Sequence, residues 1–344
     1  MSAVTCILFP VIASVAFRNF KALRSAHLRL APFNLIIGPN GSGKTSLIEA
    51  VLRLRTLAKL PVMPPGSGVT GTGPMVGPEI VFQFHPPHDG LTARMSCVSE
   101  AVCDLLVVTP AGAPGWPLLQ AGIALIRSYL LDHHAMAAPA ARADGAELAG
   151  DGGNLAAVLA HLQAVAPAEF AALSAEALRL LPEFTRFDFL TLPDGRIELG
   201  LHLATENGGH RVAAENLSQG ALYLLAMLTL AFHPVPPSVV CIEEIDRGVH
   251  PRLLREVRDL LYRLSYPASF GMPRAPVQVI ATTHSPYLLD LLREHPEEIV
   301  ISHKHGLEAH FERLADRADL PELMREGSLG DMWYSGILGG VPDE

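Results

Sequence analysis

The sequence predicts an α/β protein built on a layered, mostly parallel sheet, and three observations carry that prediction. From Phe33 onward, apolar runs of strand length alternate with runs of helical period. The glycine-rich segment Gly38-Pro39-Asn40-Gly41-Ser42-Gly43-Lys44-Thr45 lies between one such strand and the next helix. The composition, 49% hydrophobic and 18% charged over 344 residues, supplies a sizeable core and excludes a disordered or fibrous chain.

Taken in order, Ser14–Arg18 and His27–Leu30 alternate as two strands of an N-terminal antiparallel β part, with a turn at Phe20-Lys21. Phe33–Ile37 is a short continuous apolar run and reads as a buried strand. Leu47, Ile48, Val51, Leu52 and Leu54 then recur at helical spacing until Pro61 stops the helix. Residues 61–79, rich in glycine and proline, read as a flexible loop. Strands at Ile80–Phe84 and Leu105–Val108 precede a helix from Leu118 to Leu131 and a mobile stretch over 133–153. Helices at Asn154–Val165 and Ala168–Leu181 complete a helical insertion over 118–182.

At Phe187 the period falls to two, and Pro193-Asp194-Gly195 turns a hairpin onto Ile197–Leu203. A helix at Gln219–Phe232, a strand at Val239–Ile242 and a helix at Pro251–Leu264 follow. A strand at Val277–Ala281, a helix at Ser285–Arg293 and a strand at Ile299–Ile301 close the alternation. The expectation is a single domain over 1–344, with the β part and glycine-rich segment in 1–60 and a last lobe over 184–344.

The 35 acidic and 26 basic residues give a net charge of −9, which excludes a general nucleic-acid coat. Cys6, Cys97, Cys103 and Cys241 form no C-x-x-C pair and read as reduced, small hydrophobes. The apolar run from Cys6 to Phe17 is too short to span a membrane and has no basic residue before it. A cytoplasmic protein with no membrane partner is expected.

The segment from Gly38 to Thr45 fits G-x-x-x-x-G-K-S/T. Its glycines let backbone N–H groups turn inward around phosphate oxygens, and the helix beginning at Lys44-Thr45-Ser46 adds positive potential. Lys44 suits the β- and γ-phosphates of a nucleotide, and the Thr45 hydroxyl suits Mg²⁺. Val239–Ile242 then ends in Glu243 and Glu244, two carboxylates that strand alternation points in different directions. Glu243 is placed for the Mg²⁺ shell and Glu244 for a general base. Thr282-Thr283-His284-Ser285 follows another strand, so His284 is a candidate contact for the γ-phosphate or attacking water. Ser218-Gln219-Gly220 opens an apolar helix, with Ser218 as its N-cap; on its own this is the signal of any capped helix.

Together and in this order, these pieces resemble the head of an ABC-class P-loop ATPase, nearest the bacterial RecF/SMC/OLD-like group often labelled AAA-type. Phe17–Lys21, Asp151–Leu155, Gly248-Val249-His250-Pro251, Ser328–Trp333 and Leu338-Gly339-Gly340 share in the resemblance. It implies a P-loop NTPase fold of ABC-ATPase type, ATP and Mg²⁺ as cofactors, and ATP hydrolysis. It further implies a homodimer sandwiching two ATP molecules, in which Ser218, Gln219 and Gly220 act in trans on the partner's phosphate loop. Two departures stand out: Leu217-Ser218-Gln219-Gly220 replaces Leu-Ser-Gly-Gly-Gln, and Ile245-Asp246-Arg247 replaces Pro-Glu-Asn. Gln83 and Gln120 are weak candidates for the glutamine loop.

The function expected is a switch that closes on ATP and drives a DNA-linked or effector-linked process such as DNA maintenance or antiphage defence. The 60 residues after His284 are too few for the nuclease domain of OLD proteins, so any nuclease is expected on a separate chain. The alternatives are a nucleotide-dependent scaffold with negligible turnover and the ATP-binding subunit of a transporter; the signature and Gly248–Pro251 argue against the latter. Arg18, Lys21 and Arg24 keep a direct DNA contact open, whereas Arg252, Arg255, Arg258 and Arg263 alternate with Glu256 and Asp259 as a solvated helix face.

Overall fold

The computed structural model describes residues 11–60, 77–204 and 209–339. Most of the loop expected over 61–79 lies outside these residues, as do Cys6 and Gly340. The chain divides into two compact units: the first comprises 1–128, 237–245 and 264–344, the second 129–236 and 246–263.

The first unit holds two sheets. One is antiparallel, in the order Leu23–Arg29, Ile12–Phe20, Glu79–Phe84, Thr92–Cys97, Cys103–Thr109. The other runs Glu308–Arg313, Ile299–His305, Phe33–Ile37, Gln278–Thr283, Val239–Ile242, Ile126–Tyr129. Its central pairs are parallel, with Ile280 opposite Asn34, Ile301 opposite Ile37 and Cys241 opposite Ile280, and Glu308–Arg313 adds an antiparallel edge. Phe33–Ile37 and Val239–Ile242 are buried at every position, as an apolar run covered on both faces requires.

The helix Lys44–Leu57 fills the space beside these sheets. Leu47, Ile48, Val51 and Leu54 share one core with Val15, Phe17 and Phe82 of the antiparallel sheet and with Ile36, Val239 and Ile280 of the parallel one. Truncating a side chain here, as in Leu54→Ala, costs about 2–5 kcal/mol. The start of this helix is thereby held rigidly at the carboxyl ends of the parallel strands.

The second unit packs helices Leu155–Val165, Pro167–Leu180 and Gln219–Phe232 with a sheet of Phe184–Thr191, Arg196–Leu203, Arg211–Ala213 and Ala140–Ala141. Gln219–Phe232 is buried from Ala221 through Ala231, matching a sequence that is apolar all round. Charges of the helix Leu254–Ser265 are ion-paired as on a solvated face: Arg258 with Asp259, Arg263 with Glu176, and Glu256 with Arg179 of the helix Pro167–Leu180.

Three expectations need correction. The helix placed over Leu118–Leu131 spans only Trp116–Ala124, and Ile126–Tyr129 is a strand. The strand Ile-Arg-Ser-Tyr, buried only at its two ends, is too short for a period to separate it from the helical pattern before it, and the edge beside Val239–Ile242 takes it. The stretch 133–153 contains a short helix, His133–Ala137, capped by the Asp132 carboxylate, and the strand Ala140–Ala141. Finally, Cys97 and Cys103 are disulfide-bonded, because the hairpin register sets them opposite each other. Cys241 is a buried free thiol, and burial pushes its pKa up to about 12.

Candidate nucleotide site

The parallel strand Phe33–Ile37 delivers the chain into Gly38–Gly43, and the helix starts at Lys44. Gly41 and Gly43 have φ of +75° and +95°, conformations that would strain any other residue and that let the loop curl back. Gly38, Ser42, Gly43 and Lys44 are buried, Ser46 is half-buried, and Asn40, Gly41 and Thr45 are exposed.

The loop closes on its own lysine. Lys44 Nζ donates to the carbonyls of Gly38 at 2.6 Å and Pro39 at 2.9 Å. Burial lowers the Lys44 pKa to about 8, against the opposing pull of the Glu244 and Glu243 carboxylates. Ser42 Oγ is buried without a hydrogen-bond partner among the described residues. A buried cation on two carbonyls and an orphaned hydroxyl in one loop both suit an anionic ligand rich in oxygen acceptors.

Glu243 follows the buried strand Val239–Ile242 and meets the start of the helix: Thr45 Oγ1–H donates to Glu243 Oε2 at 3.0 Å. A hydroxyl and a carboxylate are hard oxygen donors, the set that Mg²⁺ takes. Glu244 is exposed, and its backbone is left-handed at φ 51°. That turn lies just past the end of the strand Val239–Ile242. It is held by Thr282, whose Oγ1 accepts from Glu244 N–H at 3.1 Å and whose carbonyl accepts from Ile245 N–H at 3.0 Å.

His284 is exposed just past the strand Gln278–Thr283, where Ser285 N–H donates to Thr283 Oγ1 at 2.9 Å and turns the chain. Lys44, Thr45, Glu243, Glu244 and His284 therefore all lie in the first unit, at the carboxyl ends of three adjacent parallel strands.

Ser218, Gln219 and Gly220 lie in the second unit. Ser218 is the N-cap, its Oγ accepting from Ala221 N–H at 3.2 Å. Gly248 has φ +68°, and a Cβ on it would stand 2.2 Å from Gln219 Cδ. Gly248-Val249 thus packs directly on the signature segment, a relation the sequence spacing hides.

The two glutamine-loop candidates serve the fold: Gln83 Oε1 accepts from the Ser14 hydroxyl, and Gln120 Nε2 donates to the Ala58 carbonyl. Of the cations considered for DNA, Arg18 is exposed, Lys21 pairs with Glu49, and Arg24 pairs with Glu100 at 3.4 Å. Sequence reasoning named Thr282 without giving it a role, and it missed Ser302 and Lys304 on the far side of the loop. Ser302 Oγ–H donates to the Ser42 carbonyl, and Lys304 Nζ lies 3.3 Å from the position a Gly41 Cβ would take. No local motif marks these residues; they reach the loop only through the pairing of Ile299–His305 with Phe33–Ile37.

Residues 11–61 match the family model "AAA ATPase domain", and residues 125–290 match "AAA domain, putative AbiEii toxin, Type IV TA system". The chain is 46% identical over 44 residues to the DNA replication and repair protein RecF of Erwinia tasmaniensis, and 50% over 44 to that of Actinobacillus pleuropneumoniae. Each match covers 12% of this chain and 12% of the RecF protein, so the chain spans about an eighth of the length of these relatives. An SMC head bound to the C-winged helix domain of ScpA is similar with a TM-score of 0.58 at 16% identity, covering 88% of this chain and 97% of that one. The SMC head domain of Thermotoga maritima gives 0.52 at 13%, covering 88% and 98%. Likeness at such identity speaks for the fold. Among the described residues no helix is long and apolar enough to cross a membrane. With a head-type fold around an intact phosphate loop, and sequence matches on both halves of the site, the chain is similar to RecF/SMC-like P-loop ATPases.

Proposed function

We propose that this protein is an ATP-hydrolysing switch in which Glu244 is the general base. The observation that carries this is the Thr45–Glu243 pair at 3.0 Å, with Glu244 exposed beside it. Lys44 and the N–H groups of Gly41 to Ser46 hold the phosphates, and Thr45 and Glu243 hold Mg²⁺. When bound, Mg²⁺ supplies positive charge to the phosphate oxygens as the terminal bond breaks. Glu244 takes a proton from water as the water oxygen bonds to the γ-phosphorus; the bond to the bridging oxygen breaks, and ADP and phosphate leave. His284 orients the γ-phosphate or that water from the neighbouring strand end.

In this reading a second copy supplies Ser218, Gln219 and Gly220, so the site is complete only in an ATP-bound dimer. The exposure of the capped helix start at Ser218 supports the reading. The output passes to a separate effector chain, in the sense of a DNA-maintenance, antiphage or toxin–antitoxin system. Direct DNA contact is the weaker route, because Lys21 and Arg24 are already paired with glutamates.

The test is the light-scattering mass of the Glu244→Gln protein with and without Mg·ATP, alongside phosphate release. Expected are a dimer only with ATP and turnover lowered by roughly 10²–10⁴-fold. Wild-type turnover in Glu244→Gln would remove Glu244 from its role, and a mass unchanged at saturating ATP would remove the dimer switch.

A further inference from the structure

We propose that His303, His305 and His310 form a zinc site on the face of the strand opposite the phosphate loop. His303 and His305 alternate on Ile299–His305 and so share a face, and His310 on Glu308–Arg313 stands directly across from His303. The three imidazoles lie nearly parallel, with ring centroids 4.8, 5.1 and 6.3 Å apart. One nitrogen from each falls within 4.8 Å of the other two. A tetrahedral ion with bonds of about 2.0–2.1 Å sets its ligand nitrogens about 3.3 Å apart. Side-chain rotation on a fixed β-ribbon supplies the difference.

The surroundings suit an ion. Glu312 Oε2 accepts from His303 Nε2–H at 3.1 Å, the carboxylate support that orients a metal-binding imidazole. On the other side of that ring Gly339 packs close, and a Cβ on it would come within 2.7 Å of Nδ1. Three imidazoles select a borderline transition metal, zinc first, over the hard Mg²⁺ of the nucleotide site. Ser302 and Lys304, the alternate residues of the same strand, face the phosphate loop, so the metal and the nucleotide lie on opposite sides of one strand.

The experiment uses the whole chain, stripped with a chelator and titrated with Zn²⁺ against a chromogenic chelator in excess Mg²⁺. The expected result is one Zn²⁺ per chain. The His303→Gln/His305→Gln/His310→Gln protein should bind at least about a hundredfold more weakly, and His133→Gln/His134→Gln should bind as the wild type does. X-ray absorption of the zinc-loaded protein should give three imidazole nitrogens at about 2.0–2.1 Å. Should the triple variant fail to fold, the single change at the exposed His305 decides, with binding at least about tenfold weaker expected. Substoichiometric zinc in the wild type, or unchanged affinity in the variant that removes these imidazoles, would overturn the site.

Discussion

The backbone N–H of Glu244 donates to the Thr282 hydroxyl at 3.1 Å, so a residue on one parallel strand sets the direction of the acidic side chain ending the next. Thr282→Val keeps the shape and removes the acceptor, freeing a left-handed turn that Glu244 adopts at some cost. Turnover should fall about tenfold while nucleotide affinity stays within about threefold, since a misdirected base acts on chemistry rather than binding. Thr282→Ser should restore most of the rate. Equal loss of binding and turnover would show a general collapse of the site instead.

Lys44 titrates near 8 because of burial. Its folded value lies below that of the unfolded chain, so between the two the unfolded chain binds more protons, and the nucleotide-free protein gains stability as pH rises through that window. Nucleotide affinity moves the other way. Below about pH 8 the ammonium is already formed; above it, each further pH unit should weaken ATP binding by up to about tenfold. Calorimetric titrations from neutral to alkaline pH check this, and a flat profile would show that Lys44 contributes no charge to binding.

Ser302 is fully buried, and its hydroxyl donates to the carbonyl of Ser42 inside the phosphate loop. Ser302→Ala leaves that carbonyl without its partner, a loss of about 1–3 kcal/mol. Chemical denaturation should register it as a lower midpoint with an unchanged slope, and the nucleotide affinity should drop with it.

Gly248 allows the signature residue Gln219 to lie against the backbone. Gly248→Ala places a methyl where Gln219 sits and strains a φ of +68°, at about 1–2 kcal/mol. Introduced into the Glu244→Gln protein, it should weaken ATP-driven dimerisation by about tenfold. Monomer nucleotide affinity should be unaffected, and sedimentation at several protein concentrations separates the two.

The phosphate loop is legible in the sequence because its eight residues are contiguous and their backbone geometry is demanded by glycine. The acidic strand is nearly as plain, since an unbroken apolar run ending in two glutamates has few other readings. Features made by strand pairing are not legible. Cys97 and Cys103 meet through a hairpin register, and the His303 cluster joins two strands of different sequence patterning. Thr282 looks like an ordinary strand residue until its hydroxyl is seen under Glu244. The strand Ile126–Tyr129 fails for another reason: four residues with Arg127 and Ser128 at their centre fit helix and strand equally, and only its place at the sheet edge decides.

The pairing of Phe33–Ile37 bears on how the protein is made. Its two neighbours, Gln278–Thr283 and Ile299–His305, arrive more than two hundred residues later. While the ribosome is still working toward His305, an apolar strand that is buried at every position in the finished sheet has neither of its partners. The nascent chain therefore carries a sticky, unpaired segment through most of its synthesis and calls for chaperone cover there.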